Sequence, residues 1–457
     1  MAGLLGRERI IASATFNRWL IPPCALATHL CIGQAYALSV FSLPLTRQLG
    51  VTQSVPGDWT LVDLGWIFSI AILMLGLSAA LFGTWVQSQG PRKAGFVAAL
   101  CWGSGFFIGA LGVHLHQLWL VYFGYGAIGG IGLGIGYITP VSTLISWFPD
   151  RRGMATGLAI MGFGGGALVA SPLSDVLMRY FASPTSTGVV QTWLVLGIAY
   201  LLFMTGGAFG YRLPPAGWSP AGWTPPQRKA GSLITTRQVT AQQAIKTPQF
   251  WFLWVVLCFN VTAGIGVISQ ASAMIQEVFR GRINASAAAG FVGLLSLFNM
   301  GGRFLWASLS DKIGRKATYA IFFTLGPLLY ALVPASGRIG SIALFVSAFC
   351  IILTMYGGGF ATIPAYLSDV FGTKYVSAVH GRLLTAWAAA GVLGPVLVNY
   401  IRQSQIDNGV PKYQAYNVTM YIMAGLLLVA FFSNLLVKPV HERFAEETEP
   451  SARPVAA

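Results

Sequence analysis

The stretch "LFNMGGRFLWASLSDKIGRK" (297–316) holds the residue best suited to chemistry in this chain. Arg303 follows twenty uncharged residues and precedes seven more before Asp311. A guanidinium stays charged and presents its N–H donors in a planar fork that matches a carboxylate. On helical spacing Ser296, Asn299, Arg303, Trp306 and Ser310 share one face, while Leu297, Phe298, Phe304 and Leu305 occupy the others. No carboxylate lies midway along another apolar segment, since Asp63, Asp175 and Glu277 all fall near segment ends. A cation in hydrocarbon without a counter-charge can be completed by an anion that arrives from outside. The chemistry implied is reversible binding of a small organic anion. Covalent catalysis would need paired acids, or a serine beside a base, at the same depth, and the sequence offers neither.

The elements that must position Arg303 follow from composition. The 457 residues are 55% hydrophobic and 9% charged, with a mean hydropathy of +0.66. A water-soluble domain cannot bury so much apolar surface. Apolar runs near the ~20 residues that cross a bilayer as a helix recur throughout. We place twelve spans at 20–42, 62–85, 94–113, 117–147, 153–174, 190–210, 249–275, 286–310, 317–335, 340–366, 376–401 and 415–437. The expected fold is an all-α polytopic membrane protein of two six-helix halves, 1–210 and 249–437. A central loop at 211–248 and a tail at 438–457 complete it, both on the cytoplasmic side. The net charge of +15 raises a nucleic-acid partner. Its distribution excludes one, because twenty of the 28 Lys and Arg fall on one side of the spans, seven on the other and Arg303 within one. That bias puts both termini in the cytoplasm of a cell (inner or plasma) membrane and directs the basic residues to anionic lipid.

The loop "PPAGWSPAGWTPP" (214–226) cannot be helical, and its Trp218 and Trp223 suit the headgroup region. "TAQQAIKTPQFW" then reads as a short interfacial helix leading into span seven. The halves echo each other: "GTWVQSQGPRK" (83–93) matches "ASLSDKIGRK" (307–316), and "GYITP" (136–140) matches "GFATIP" (359–364). Such duplication marks a transporter with its site between the halves. Asp311 is placed to accept charge-assisted hydrogen bonds or to sit against a helix N-terminus, with Arg315 and Lys316 turned to lipid phosphates. "GYGAIGGIGLGIGY" (124–137) imitates a dinucleotide fingerprint, but no strand precedes it and no acid follows for the ribose. Gly126, Gly130 and Gly134 instead allow another helix to approach closely. Tyr137 brings a phenol that needs a partner in a membrane interior. Cys24, Cys31, Cys101, Cys258 and Cys350 lie within spans at spacings that suit packing rather than metal.

The 307–316 loop resembles the loop signature of the major facilitator superfamily, in which it latches the cytoplasmic gate. The resemblance implies gate roles for Asp311, Gly314 and Arg315, and a weaker first-half latch, because Gln87 stands where an Asp is usual. "WFPDRRGMATGLAIMGFGGG" (147–166), "KTPQFW", "LFNMGGR", "SDKIGR" and "FGT" (371–373) are similar to the oxalate/formate antiporter family and, more distantly, to the monocarboxylate transporters. In the antiporters an arginine at the Arg303 position binds the substrate carboxylate and aromatic residues close around it. Matching by motif implies Tyr36 in "GQAYALSVF", Tyr137 in "GYITP", and Tyr356 and Phe360 in "YGGGF". Alignment of "HGRLLTAWAAAGVLGP" (380–395) by its glycines puts Trp387 where the oxalate exchanger has a lysine.

One cation beside an indole suits one carboxylate with a small tail. The expected function is secondary transport of lactate- or pyruvate-like monocarboxylates by alternating access, as proton symport or anion exchange, with Asn299 beside the arginine. His29 and His380 are the candidates for proton coupling, since imidazole titrates near neutrality. His114, His116 and His441 lie in turns or the tail. No motif asks for a cofactor or metal, and the chain is expected to be monomeric. Oxalate:formate antiport is the alternative substrate reading. A membrane carboxylate sensor is the alternative of another class, and it would need an added signalling domain.

Overall fold

The computed structural model describes residues 3–224, 233–235, 237–283 and 285–446. The rest of the central loop (225–232 and 236) and the tail from 447 lie outside the described residues. Each of the twelve expected spans is occupied by helix. In chain order they are α1 (Ile21–Ile32), α2 (Leu61–Gln89), α3 (Pro91–His114), α4 (Leu118–Trp147), α5 (Arg152–Phe181), α6 (Val189–Gly210), α7 (Pro248–Val278), α8 (Ala285–Ile313), α9 (Arg315–Arg338), α10 (Ile342–Phe371), α11 (Val376–Asp407) and α12 (Asn417–Leu436). The expected interfacial helix is a single turn, Ala241–Ala244.

Among the described residues, ten of these helices are long and apolar enough to cross a membrane. Of the other two, α1 departs for a physical reason. From Gly33 to Phe41 the chain tightens into a 3-10 helix, so the first span is not one continuous α-helix. Two more irregularities fall on elements that reach the centre. After one α-helical turn α4 carries a π-helical segment at Tyr122–Gly129, and α11 is interrupted at Leu384 between Val376–Leu383 and Thr385–Asp407.

The helix ends are set by ordinary capping. Asp63 exchanges hydrogen bonds with Thr60 in a capping box that starts α2. Thr247 and Ser341 cap α7 and α10, and Pro91 and Pro248 occupy first turns. The repeat is visible in the backbone. Gly90 and Gly314, at the same place in each half, adopt φ of 85° and 88°, which only glycine takes without strain. We call the face carrying these two turns the near face and the opposite one the far face. Pro140 and Pro364 likewise lie inside α4 and α10. Gly130 and Gly134 of α4 rest against the backbone of α2 at Ala71 and Leu75.

Candidate functional site

Arg303 lies in the middle of the molecule and is fully buried. As the helical spacing implied, Asn299 and Ser310 are buried with it, whereas Leu297 and Leu305 on the other faces are exposed. Hydrogen bonds and ring faces hold the guanidinium. Nε donates to the Asn299 amide oxygen at 3.3 Å, and Nη1 donates to the Ile160 carbonyl of α5 at 3.2 Å. Its carbon sits 5.7 Å from the Phe163 ring and 5.4 Å from the Phe360 ring, within cation–π range. No carboxylate pairs with it among the described residues. A side chain at Gly357 would collide with Asn299 and the Arg303 stem, so the glycine run of α10 is what admits α8.

Around this cation the structure gathers the aromatic residues expected there. Tyr137 of α4 and Trp387 of α11 pack ring to ring at 5.2 Å, and Phe360 of α10 lies 4.5 Å from Trp387. Tyr36, from the 3-10 segment after α1, meets Tyr356 of α10 hydroxyl to hydroxyl at 3.3 Å, joining the two halves on the far side of Arg303. Phe163 was missed in the sequence. It touches Tyr36 (4.9 Å), Tyr137 (5.7 Å) and Trp387 (5.4 Å), and thus sits at the hub of the cluster. The available signal was a lone large side chain within the glycine run "GFGGG" of α5.

Four polar atoms in this cluster have no hydrogen-bond partner among the described residues: Arg303 Nη2, Tyr137 Oη, Trp387 Nε1 and His380 Nε2. Buried polar groups rarely go unpaired, since each costs about 1–3 kcal/mol. His380 lies 5.8 Å from the Tyr137 ring. His29 stands behind Tyr137, its ring nitrogens facing carbonyls of α5 and α4.

The near face is closed by ion pairs between the halves. Asp311 accepts from the backbone amides of Gly153 and Met154 at the start of α5, both at 2.9 Å, and from Arg315 at 2.6 Å. A carboxylate on a helix N-terminus is favoured by the unpaired amides and the helix dipole. Asp369, at the end of α10, accepts from Arg315 at 3.1 Å and from Arg152 of α5 at 3.0 Å. Arg152 and Asp369 carried no sequence signal, because they stand 217 residues apart. The expectation that Arg315 and Lys316 face lipid phosphates is overturned. Arg315 is buried in the network just described, and Lys316 Nζ donates to the Leu435 and Val437 carbonyls that end α12. Gln87 still reaches across the halves, donating to the Lys374 carbonyl at 2.7 Å. Nearby, burial pushes the Asp150 carboxyl up, but its paired bonds to Arg18 at 2.6 and 2.9 Å outweigh this and hold it below the usual carboxylate range. A cavity of about 860 Å³ opens on the near face beside Arg7, Gln87, Arg152, Trp218 and Lys374, and none of the side chains around Arg303 lines it.

Two helical bundles meeting over a buried cation, tied to each other on both sides of it, define a polytopic membrane transporter. The chain belongs to the Major Facilitator Superfamily, whose family model matches residues 24–395. It is 29% identical to the oxalate:formate antiporter of Oxalobacter formigenes over 384 residues, 83% of each chain. It is 25% identical to the apicoplast pyruvate carrier 1 of Toxoplasma gondii, across 82% of this chain and 76% of that one. In fold it is similar to the fucose:proton symporter of Escherichia coli, with a TM-score of 0.65 at 14% identity, covering 92% of this chain and 98% of that one.

Proposed function

We propose that this transporter carries small monocarboxylates of the lactate or pyruvate kind, and that Arg303 binds the carboxylate. The observation that carries the reading is a fully buried guanidinium that, among the described residues, has no carboxylate partner and an unbonded Nη2, as the Tyr137 hydroxyl is also unbonded there. A carboxylate that accepts from Nη2 and Tyr137 would satisfy both and neutralise the cation. Phe163, Phe360 and Trp387 exclude water and limit the tail to a few carbons. Tyr36 and Tyr356 form the far lid, and Asp311, Gly314 and Arg315, with Arg152 and Asp369, form the near latch. Rocking of one half on the other opens the lid and the latch in turn. The near face is the cytoplasmic one in this reading, as its basic residues favour, the membrane is the plasma membrane and the working unit is a monomer.

Arg303→Ala and Arg303→Lys should abolish uptake of labelled lactate and pyruvate while the protein reaches the membrane at normal levels. Wild-type uptake by both variants would sink the assignment. A second reading, oxalate:formate exchange, is favoured by the likeness to the Oxalobacter antiporter. Against it stands Trp387, an uncharged indole where a second carboxylate would need a cation. Counterflow in proteoliposomes separates them, since exchange of oxalate without lactate or pyruvate rejects the monocarboxylate reading.

A further inference from the structure

His29 of α1 is fully buried, and both ring nitrogens face main-chain oxygens. Nδ1 lies 2.7 Å from the Ala159 carbonyl of α5, and Nε2 lies 3.2 Å from the Tyr137 carbonyl of α4. A carbonyl oxygen can only accept. A neutral imidazole carries one N–H, so in either tautomer one nitrogen lone pair points at a carbonyl lone pair. An imidazolium donates to both. The setting is therefore built to receive a second proton, and only the surrounding charge and burial withhold it.

The charge in question is Arg303. The two groups are joined through consecutive peptide units of α5, since Ala159 O contacts His29 and Ile160 O accepts from Arg303 Nη1. The helices packed on α1 bring no carboxylate to His29 among the described residues. α4 presents Tyr137, whose ring lies 5.3 Å away, and α5 presents only backbone carbonyls there. α6 carries Tyr200, and Tyr211 beyond its end bonds Thr28. From the second half, Arg303 of α8 and His380 of α11 are the charged and titratable groups that interact with it among the described residues. His380 differs from His29 in having Nε2 without a partner, so no pair of acceptors frames it.

We propose that His29 holds the proton that travels with the anion. Resting on the carboxylate role of Arg303, the coupling follows from charge. An anion paired with Arg303 removes the repulsion that adds to burial in opposing an imidazolium, so anion and proton favour each other's loading. The proton enters from water on the side where the anion enters, rests on the imidazole between the two carbonyls, and is released on the other side. Empty and loaded sites then carry the same net charge, and the halves rock without moving extra charge through the bilayer.

The test uses the purified full chain in liposomes. Counterflow with lactate, pyruvate, formate and oxalate first identifies an exchanged anion. That anion's accumulation under a one-unit inward proton gradient is then measured for wild type and His29→Gln. At one proton per anion, wild type should accumulate it about tenfold. His29→Gln should keep counterflow, because the His29 ring bonds backbone carbonyls and not the groups around the anion, and should lose accumulation. Wild-type accumulation by His29→Gln overturns the proposal, as does counterflow without accumulation in wild type. If His29→Gln exchanges nothing, His29→Asn replaces it. Loss of exchange in both also overturns the proposal, because the imidazole would then serve the fold. Oxalate-only counterflow rejects the monocarboxylate reading yet leaves the His29 comparison to be read with oxalate. No counterflow with any of the four overturns both.

Discussion

At the scale of single residues, the centre of this protein keeps a cation and a phenol that the fold itself does not satisfy. Tyr137 is fully buried and packed by Phe163 and Trp387, yet its hydroxyl has no partner among the described residues. In a structural role the ring would suffice and the hydroxyl would be a cost. Tyr137→Phe therefore separates the two roles. If the hydroxyl serves the carboxylate, the variant should bind the transported anion about tenfold more weakly, the worth of one hydrogen bond to a charged group. Its melting temperature should not fall, because a buried unpaired group has been removed. Anion titration monitored by thermal shift reads both quantities, and unchanged affinity would return Tyr137 to the packing.

At the scale of elements, α4 shows how a glycine period becomes geometry. A Cβ at Gly126 would press on Ile70, at Gly130 on Ala71 and Met74, and at Gly134 on Leu75 and Ser78, all of α2. The two helices thus meet backbone to backbone, and Tyr137 is carried one turn beyond the contact. Gly134→Leu should force them apart at a cost of about 1–3 kcal/mol, typical of overpacking. That should appear as a lower melting temperature and reduced yield of monodisperse protein; wild-type melting would mean the approach is dispensable. This contact was readable from sequence because its signal repeats within one helix, and the polar stripe of α8 was readable for the same reason. The 3-10 turn at Gly33–Phe41 and the break at Leu384 were not, since tertiary packing sets them rather than local composition. Phe163 looked like one apolar residue among many, and only the folded chain brings it against Tyr36, Tyr137 and Trp387. Arg152 with Asp369 was hidden for a related reason: sequence shows which residues are charged, not which distant ones meet.

At the scale of the whole molecule, the two halves meet on the near face through packed helices, Gly83 against Ala378 and Gly157 against Ala307, and through a compact charge network. Asp369 is the joint, because it alone among the described residues accepts from both Arg152 of the first half and Arg315 of the second. Its carboxylate is nearly buried, so removing its charge leaves two guanidinium groups facing one amide. Breaking a buried pair from one side costs about 3–5 kcal/mol, while an exposed pair would cost under about 1 kcal/mol. The latch exists only while the near face is closed, so this cost falls on the closed state and not on the open one. Asp369→Asn should therefore shift the population toward opening on the near face rather than simply lower stability. Spin labels at Ser88 on α2 and Lys312 on α8, one on each half, should show added long distances in the variant. The bond from Asp311 to the start of α5 remains in Asp369→Asn and limits the shift, so Asp311→Asn combined with it should open the face further. A label distribution unchanged from wild type in the double variant would mean that apolar contact between the halves, and not this charge network, sets the closed state.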